Sequence, residues 1–158
     1  MRHYNRAFTF ALTAALASAA AACALAAEPP ADPAKVSLSA TPESVAPGGK
    51  LTVDLRLAPQ SGIKINRHPK MSLTVAEQAG VVRAAQVTVG NDAPPPPDRL
   101  DENYYKDVDP LRLEIELDPA IPSGRHEIPA KLRYYYCVAA SGYCAPKRAD
   151  IRIPITVR

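Results

Sequence analysis

An all-β fold, with antiparallel sheets packed as a sandwich, is predicted by three features of this sequence. Apolar residues recur at every second position in several separate segments. Clusters of proline and glycine fall between those segments. No segment shows the apolar stripe and caps of an amphipathic helix. Alternation of period two marks a strand with one buried face. Strands at this spacing, broken by turn residues, suit a sandwich.

The elements follow in order. "KVSLSA", residues 35 to 40, is a short candidate strand. Leu51, Val53, Leu55 and Leu57 alternate with polar residues in "KLTVDLRL". "MSLTVAEQAGVVRAAQVTV" supplies further short strands. Leu111, Leu113, Ile115 and Leu117 alternate in "LRLEIEL". Ile128, Ala130, Leu132, Tyr134 and Tyr136 do so in "EIPAKLRYYY", and Ile151, Ile153, Ile155 and Val157 in "IRIPITV". Turns are predicted at "APGGK" (46–50), "PQSG" (59–62) and "IPSGR" (121–125). With no tryptophan the hallmark of antibody domains is missing. The expected fold is therefore an immunoglobulin-like sandwich in the broad sense.

The N-terminus reads as an export signal. Arg2 and Arg6 form a positive start, and residues 7 to 27 are uncharged and alanine-rich, with small residues before Glu28. This predicts a signal peptide over residues 1–27, a flexible Pro-rich leader over 28–35 and one domain over 36–158, placed in the periplasm. An uncleaved anchor is the alternative, since the uncharged run nearly spans a bilayer, but alanine is weakly hydrophobic. Cys23 is expected to leave with the signal. Lipidation at Cys23 is the alternative, although Ala20 stands where such signals carry leucine. The formal charge is +3, and removing Arg2 and Arg6 leaves 3 − 2 = +1. A near-neutral domain without a Lys/Arg cluster in its sequence offers no footprint for nucleic acid. No later uncharged run would hold the exported chain in a membrane.

One segment departs from the strand pattern. "NDAPPPPDRLDENYYKDVDP", residues 91–110, is long, Pro-rich and acidic, with Tyr104 and Tyr105 in its middle. Long loops in compact domains are commonly functional or disordered. Adjacent tyrosines argue for a surface to pack on.

Two cysteines remain after export, Cys137 and Cys144 in "YYYCVAASGYCAP". Outside the cytosol they can form a disulfide, and the bend at Ser141-Gly142 can bring them together. Structural zinc wants four ligands, and the only other soft candidates, His68 and His126, read as surface residues, so no metal or cofactor is expected. As a staple, a ring of about eight residues would stabilise by roughly 2.5 kcal/mol. Spacing alone leaves the staple and a redox pair open, because six intervening residues are not the C-x-x-C of thioredoxin-like enzymes.

The "YYYC…GYCAP" stretch together with "LDENYYKDVDPLRLEIEL" resembles the N-terminal periplasmic domain of DsbD, the thiol:disulfide interchange protein. The resemblance covers about residues 36 to 158. It implies an immunoglobulin-like sandwich with a redox-active pair, Cys144 forming mixed disulfides and Cys137 resolving them. It implies a cap loop in which Asp101, Glu102, Tyr104 and Tyr105 shield the sulfurs. Asp101 and Glu102, if close, would oppose thiolate formation by like-charge repulsion. Asn103 reads as an insertion between the acidic and aromatic parts of the cap motif. The implied partners are thioredoxin-like periplasmic proteins or a membrane electron relay, with this chain a free-standing version of the domain. The reading from another class is a secreted, non-enzymatic module with a structural disulfide and a partner-binding acidic and tyrosine-bearing loop.

Overall fold

In the computed structural model, residues 30–158 are described; the expected signal peptide, with Cys23, lies outside them. Each segment of alternating hydrophobicity is a strand. In chain order they are β1 (Ala34–Thr41), β2 (Ser44–Val45), β3 (Lys50–Pro59), β4 (Ile63–Ile65), β5 (Met71–Val75), β6 (Ala85–Val89), β7 (Leu111–Glu116), β8 (Gly124–Val138) and β9 (Cys144–Val157). β1 begins two residues ahead of the expected domain boundary at 36, because Ala34 is buried and pairs with Pro59. The residues before it are tied down as well. Gln60 Nε2 donates to Asp32 O at 2.6 Å, and Lys147 Nζ donates to Ala31 O.

Two sheets pack face to face as an all-β sandwich. One has the order β1-β3-β7 and is antiparallel throughout. The other has the order β2-β9-β8-β5-β6, with β4 added beside the end of β8. Its single departure from antiparallel pairing is β2, which runs parallel to β9 over Ser44–Val45.

The alternation read from the sequence is the core. Leu51, Val53, Leu55, Leu111, Leu113 and Ile115 face inward from the first sheet. Leu73, Ile128, Leu132, Tyr134 and Ile153 face them from the second. Burying each such side chain stabilises the fold by about 1.5–3 kcal/mol.

The long segment 91–110 contains the one helical stretch among the described residues, two 3-10 turns over Pro97–Asn103 that meet at a kink at Arg99. Sequence reading expected only loop there. The first turn starts at a proline, whose fixed φ suits a first helical position.

Burial sets the cost of substitution. Leu132→Ala, in the fully buried middle of β8, should lower the unfolding free energy by about 2–5 kcal/mol. Leu100→Ala, on the exposed loop, should change it by less than about 0.5 kcal/mol. Denaturant unfolding of the two variants checks this contrast.

Candidate functional site

The tyrosine run before Cys137 is divided by the pleat of β8. Successive side chains of a strand point to opposite faces. Tyr134 and Tyr136 turn into the core and are almost fully buried. Burial pushes the Tyr134 phenol up to about 12 and the Tyr136 phenol above its usual range. Tyr135 and Cys137 therefore share the outer face of the six-stranded sheet. The ladder between β8 and β9 runs unbroken from Gly124–Val157 to its last rung, Cys137–Cys144.

That last rung is a disulfide, with S–S 2.04 Å and Cα–Cα 4.1 Å. The backbone explains the short separation. Val138 N donates to Tyr143 O at 2.8 Å, which leaves the neighbouring rung as the close, non-hydrogen-bonded kind. Gly142 makes the turn, at φ +69°, and its N–H donates to Val138 O.

The two sulfurs are not equivalent. Cys137 is 4 % exposed, although it sits on the outer face. Cys144 is exposed at the hairpin tip, beside the exposed ring of Tyr143. Strand β4 and its continuation cover Cys137. Lys64 pairs with Cys137 across the strands, and Asn66 N donates to Tyr135 O. Asn66 Oδ1 lies 3.4 Å from Cys137 Sγ. A disulfide sulfur has no proton to donate, so this is a close S···O contact. In the dithiol the same oxygen is placed to accept from the Cys137 thiol.

The acidic loop docks on this continuation of β4 as a further short strand. Tyr104 pairs with Asn66 in an antiparallel bridge. Tyr105 N donates to Ile65 O at 3.0 Å, and Arg67 N donates to Asn103 O. The Asn103 side chain completes the junction from both ends of its amide. Its Oδ1 accepts from His68 N at 2.9 Å, and its Nδ2 donates to His68 O at 3.0 Å. The base of the loop is held by Asn91 N, which donates to Arg67 O. Only glycine fits at position 90, where φ is +131° and a Cβ would stand 2.1 Å from Arg67 O.

Extended backbone splits the two tyrosines. Tyr104, opposite Asn66, lies on the face that carries the disulfide, with the Lys64 ammonium 4.6 Å from its ring centre. Tyr105 turns the other way and packs against the core, under the Arg67 guanidinium at 4.9 Å. Burial raises the Tyr105 phenol pKa; Asp109 adds to this and Arg67 opposes it. Asp101 is drawn to Lys64, 3.5 Å away, and is otherwise solvated. Glu102 pairs with Arg99 at 3.4 Å. The loop thus reaches Cys137 at one remove, through Asn66 and Lys64.

Sequence reading missed Lys64, Asn66 and the anchoring role of Asn103. Their signal was faint: Lys64 and Asn66 are two apart in "SGIKIN", as residues on one face of a strand must be. His68 and His126 each meet a backbone carbonyl, of Asn91 and of Pro122. In comparisons with known proteins, no protein-family model and no curated sequence matches the chain.

The Asn103 junction is testable by itself. Asn103→Ala leaves the His68 backbone groups without their side-chain partners and should cost about 1–3 kcal/mol. Amide hydrogen exchange at Arg67 and His68 should accelerate, while exchange in the middle of β8 should not. Equal acceleration in both places would show that the junction holds the whole fold.

Proposed function

We propose that the chain is an exported thiol:disulfide exchange domain, of the kind found at the N-terminus of DsbD, passing electrons through Cys137 and Cys144. One observation carries this reading: the exposed sulfur, Cys144, and the covered sulfur, Cys137, are joined at the open end of a rigid hairpin. Exchange requires a thiolate to reach a disulfide sulfur along an open path. Only Cys144 offers such a path, which suits it as the attacking and attacked sulfur. The other large apolar side chain that is exposed among the described residues, Leu100, lies on the cap loop. The exposed ring of Tyr143, next to Cys144 in the chain, suits a transient protein contact. Thioredoxin-like periplasmic proteins or a membrane relay are partners of the right chemistry.

The reaction balances within the two proteins. In the reduced domain the Cys144 thiolate attacks the partner's disulfide, and one partner sulfur leaves as a thiolate. Cys137, as thiolate, then attacks Cys144 Sγ and breaks the mixed disulfide. The partner departs as a dithiol with two electrons and two protons, and the domain keeps the Cys137–Cys144 bond. The reverse sequence reduces the domain.

A structural staple is favoured by one feature, the burial of Cys137 at the end of the longest ladder. The reduction potential separates the two readings. Exchange-active disulfides lie above about −300 mV, and structural ones below. A potential below that value, with no electron transfer to an oxidised thioredoxin-like protein, would leave the staple.

Two further outcomes are expected. Cys137→Ser should accumulate a mixed disulfide with a thioredoxin-like partner, since no resolving thiol remains, and Cys144→Ser should not. Non-reducing electrophoresis reads the trapped species, and equal trapping would refute this division of labour. Tyr104→Ala should speed alkylation of the reduced protein about tenfold, as loss of about 1.4 kcal/mol of loop docking would, with little change in stability. Tyr105→Ala should speed it too, but should also lower the melting temperature, because Tyr105 packs on the core. Unchanged alkylation in both variants would mean that the loop does not guard the pair.

A further inference from the structure

The outer face of the six-stranded sheet continues past the disulfide, and its side chains can be read from the register. Below Cys137–Cys144 comes the rung Tyr135–Pro146, then Arg133–Arg148, Lys131–Asp150 and Pro129–Arg152. Arg133, Arg148, Lys131 and Arg152 are all exposed. None of the four has an ion-pair partner among the described residues.

The Arg133–Arg148 rung costs the fold something, since like charges directly opposite each other destabilise a ladder. The one carboxylate on the neighbouring rung, Asp150, also lines the groove beside Arg148 but forms no ion pair with either arginine. Beside the arginine rung β5 contributes Ser72 and Thr74, opposite Arg133 and Lys131. These residues line an open groove of about 430 Å³. Two guanidinium forks flanked by hydroxyls form a surface that suits carboxylates, which an arginine can bind through two parallel hydrogen bonds.

The position of the groove gives it a partner. Arg133 is four residues from Cys137 along β8, and Arg148 is four residues from Cys144 along β9, or about 13 Å at strand rise. A partner that brings its sulfur to Cys144 buries about 800 Å² of this domain in a standard interface, a disc of about 16 Å radius. The arginine rung lies on the same face and within that footprint.

We propose that this basic groove is the docking surface for an acidic patch on the exchange partner, about 13 Å from the partner's reactive cysteine. The inference rests on the exchange reading of the cysteine pair. It assigns the orientation of the complex: the partner lies along β8 and β9 toward Arg133 and Arg148, with the acidic cap loop to one side of it, beyond β4. An anionic membrane is the weaker occupant. The basic rungs carry no exposed large apolar side chain; of those on the described surface, Tyr143 adjoins Cys144 and Leu100 lies on the cap loop.

The test uses the reduced domain and three peptides, each with one cysteine capped as a disulfide with thionitrobenzoate. A four-residue spacer leads to four glutamates, four glutamines or four lysines. Release of thionitrobenzoate gives the rate. The glutamate peptide should react about tenfold faster than the glutamine peptide at low salt, as electrostatic steering allows. The advantage should vanish near 1 M salt, where the screening length is about 3 Å. Arg133→Gln with Arg148→Gln should bring the glutamate-to-glutamine ratio to about one, and Arg133→Glu with Arg148→Glu should favour the lysine peptide. Equal rates for wild type, or a preference that survives both double variants, would overturn the docking surface while leaving the exchange reading intact. No reaction even with the glutamine peptide would overturn the exchange reading, and the docking inference with it. Arginine-dependent binding to phosphatidylglycerol vesicles without any peptide preference would replace the protein partner by a membrane.

Discussion

The pairing of β8 with β9 is the constraint on which the rest depends. Its ladder runs without a break from Gly124–Val157 to Cys137–Cys144. Because side chains alternate along both strands, one register sets two surfaces at once. The inward residues, from Ile128 to Tyr136 and from Ile151 to Val157, supply most of the second sheet's half of the core, and β5 adds Met71, Leu73 and Val75. The outward residues carry the disulfide, Tyr135 and the basic rungs. A slip of one residue would put the arginines in the core and the leucine in water, so burial of the inner face holds the outer face in place.

The site follows from where that ladder outruns the sandwich. Beyond Tyr135 the strands project past β5, and the edge of β8 is taken up by β4 instead. This small strand turns an outward-facing cysteine into a covered one. Cys144, on the free side of the hairpin, has no such neighbour and stays exposed. The difference between the sulfurs is thus a consequence of sheet order rather than of their local sequences. The acidic loop adds one more layer on the same edge, held by backbone hydrogen bonds and the Asn103 amide, with Tyr105 as its apolar anchor.

The charges of the outer face belong to the same geometry. The domain is close to neutral, yet Arg133 and Arg148 meet across β8 and β9 while much of the acidic charge is gathered in the loop that docks along the β4 edge. A face with a basic rung along the strands and acidic charge along one lateral edge discriminates by orientation as well as by affinity, since like-charge approach is disfavoured.

Much of the sandwich was legible in the amino-acid sequence. Period-two hydrophobicity located the long strands and most of the buried residues, because a residue's face in a strand is decided by its parity alone; Val45, Ile65 and Ile121, buried outside those segments, were not among them. The cysteine pairing was legible too, on the expectation that Cys23 leaves with a signal peptide and only Cys137 and Cys144 remain. What the sequence did not determine is whatever depends on which strands are neighbours. Asn66 against Cys137 is separated by about seventy positions along the chain, and Asn103 meets His68 across thirty-five. The arginines at 133 and 148 look scattered in one dimension and become a pair only when the hairpin folds back. Even the two adjacent tyrosines of the loop separate, one to the core and one toward the disulfide face, once the edge of β4 makes that segment extended. Local pattern fixes which way a side chain points; only the tertiary register decides what it meets there.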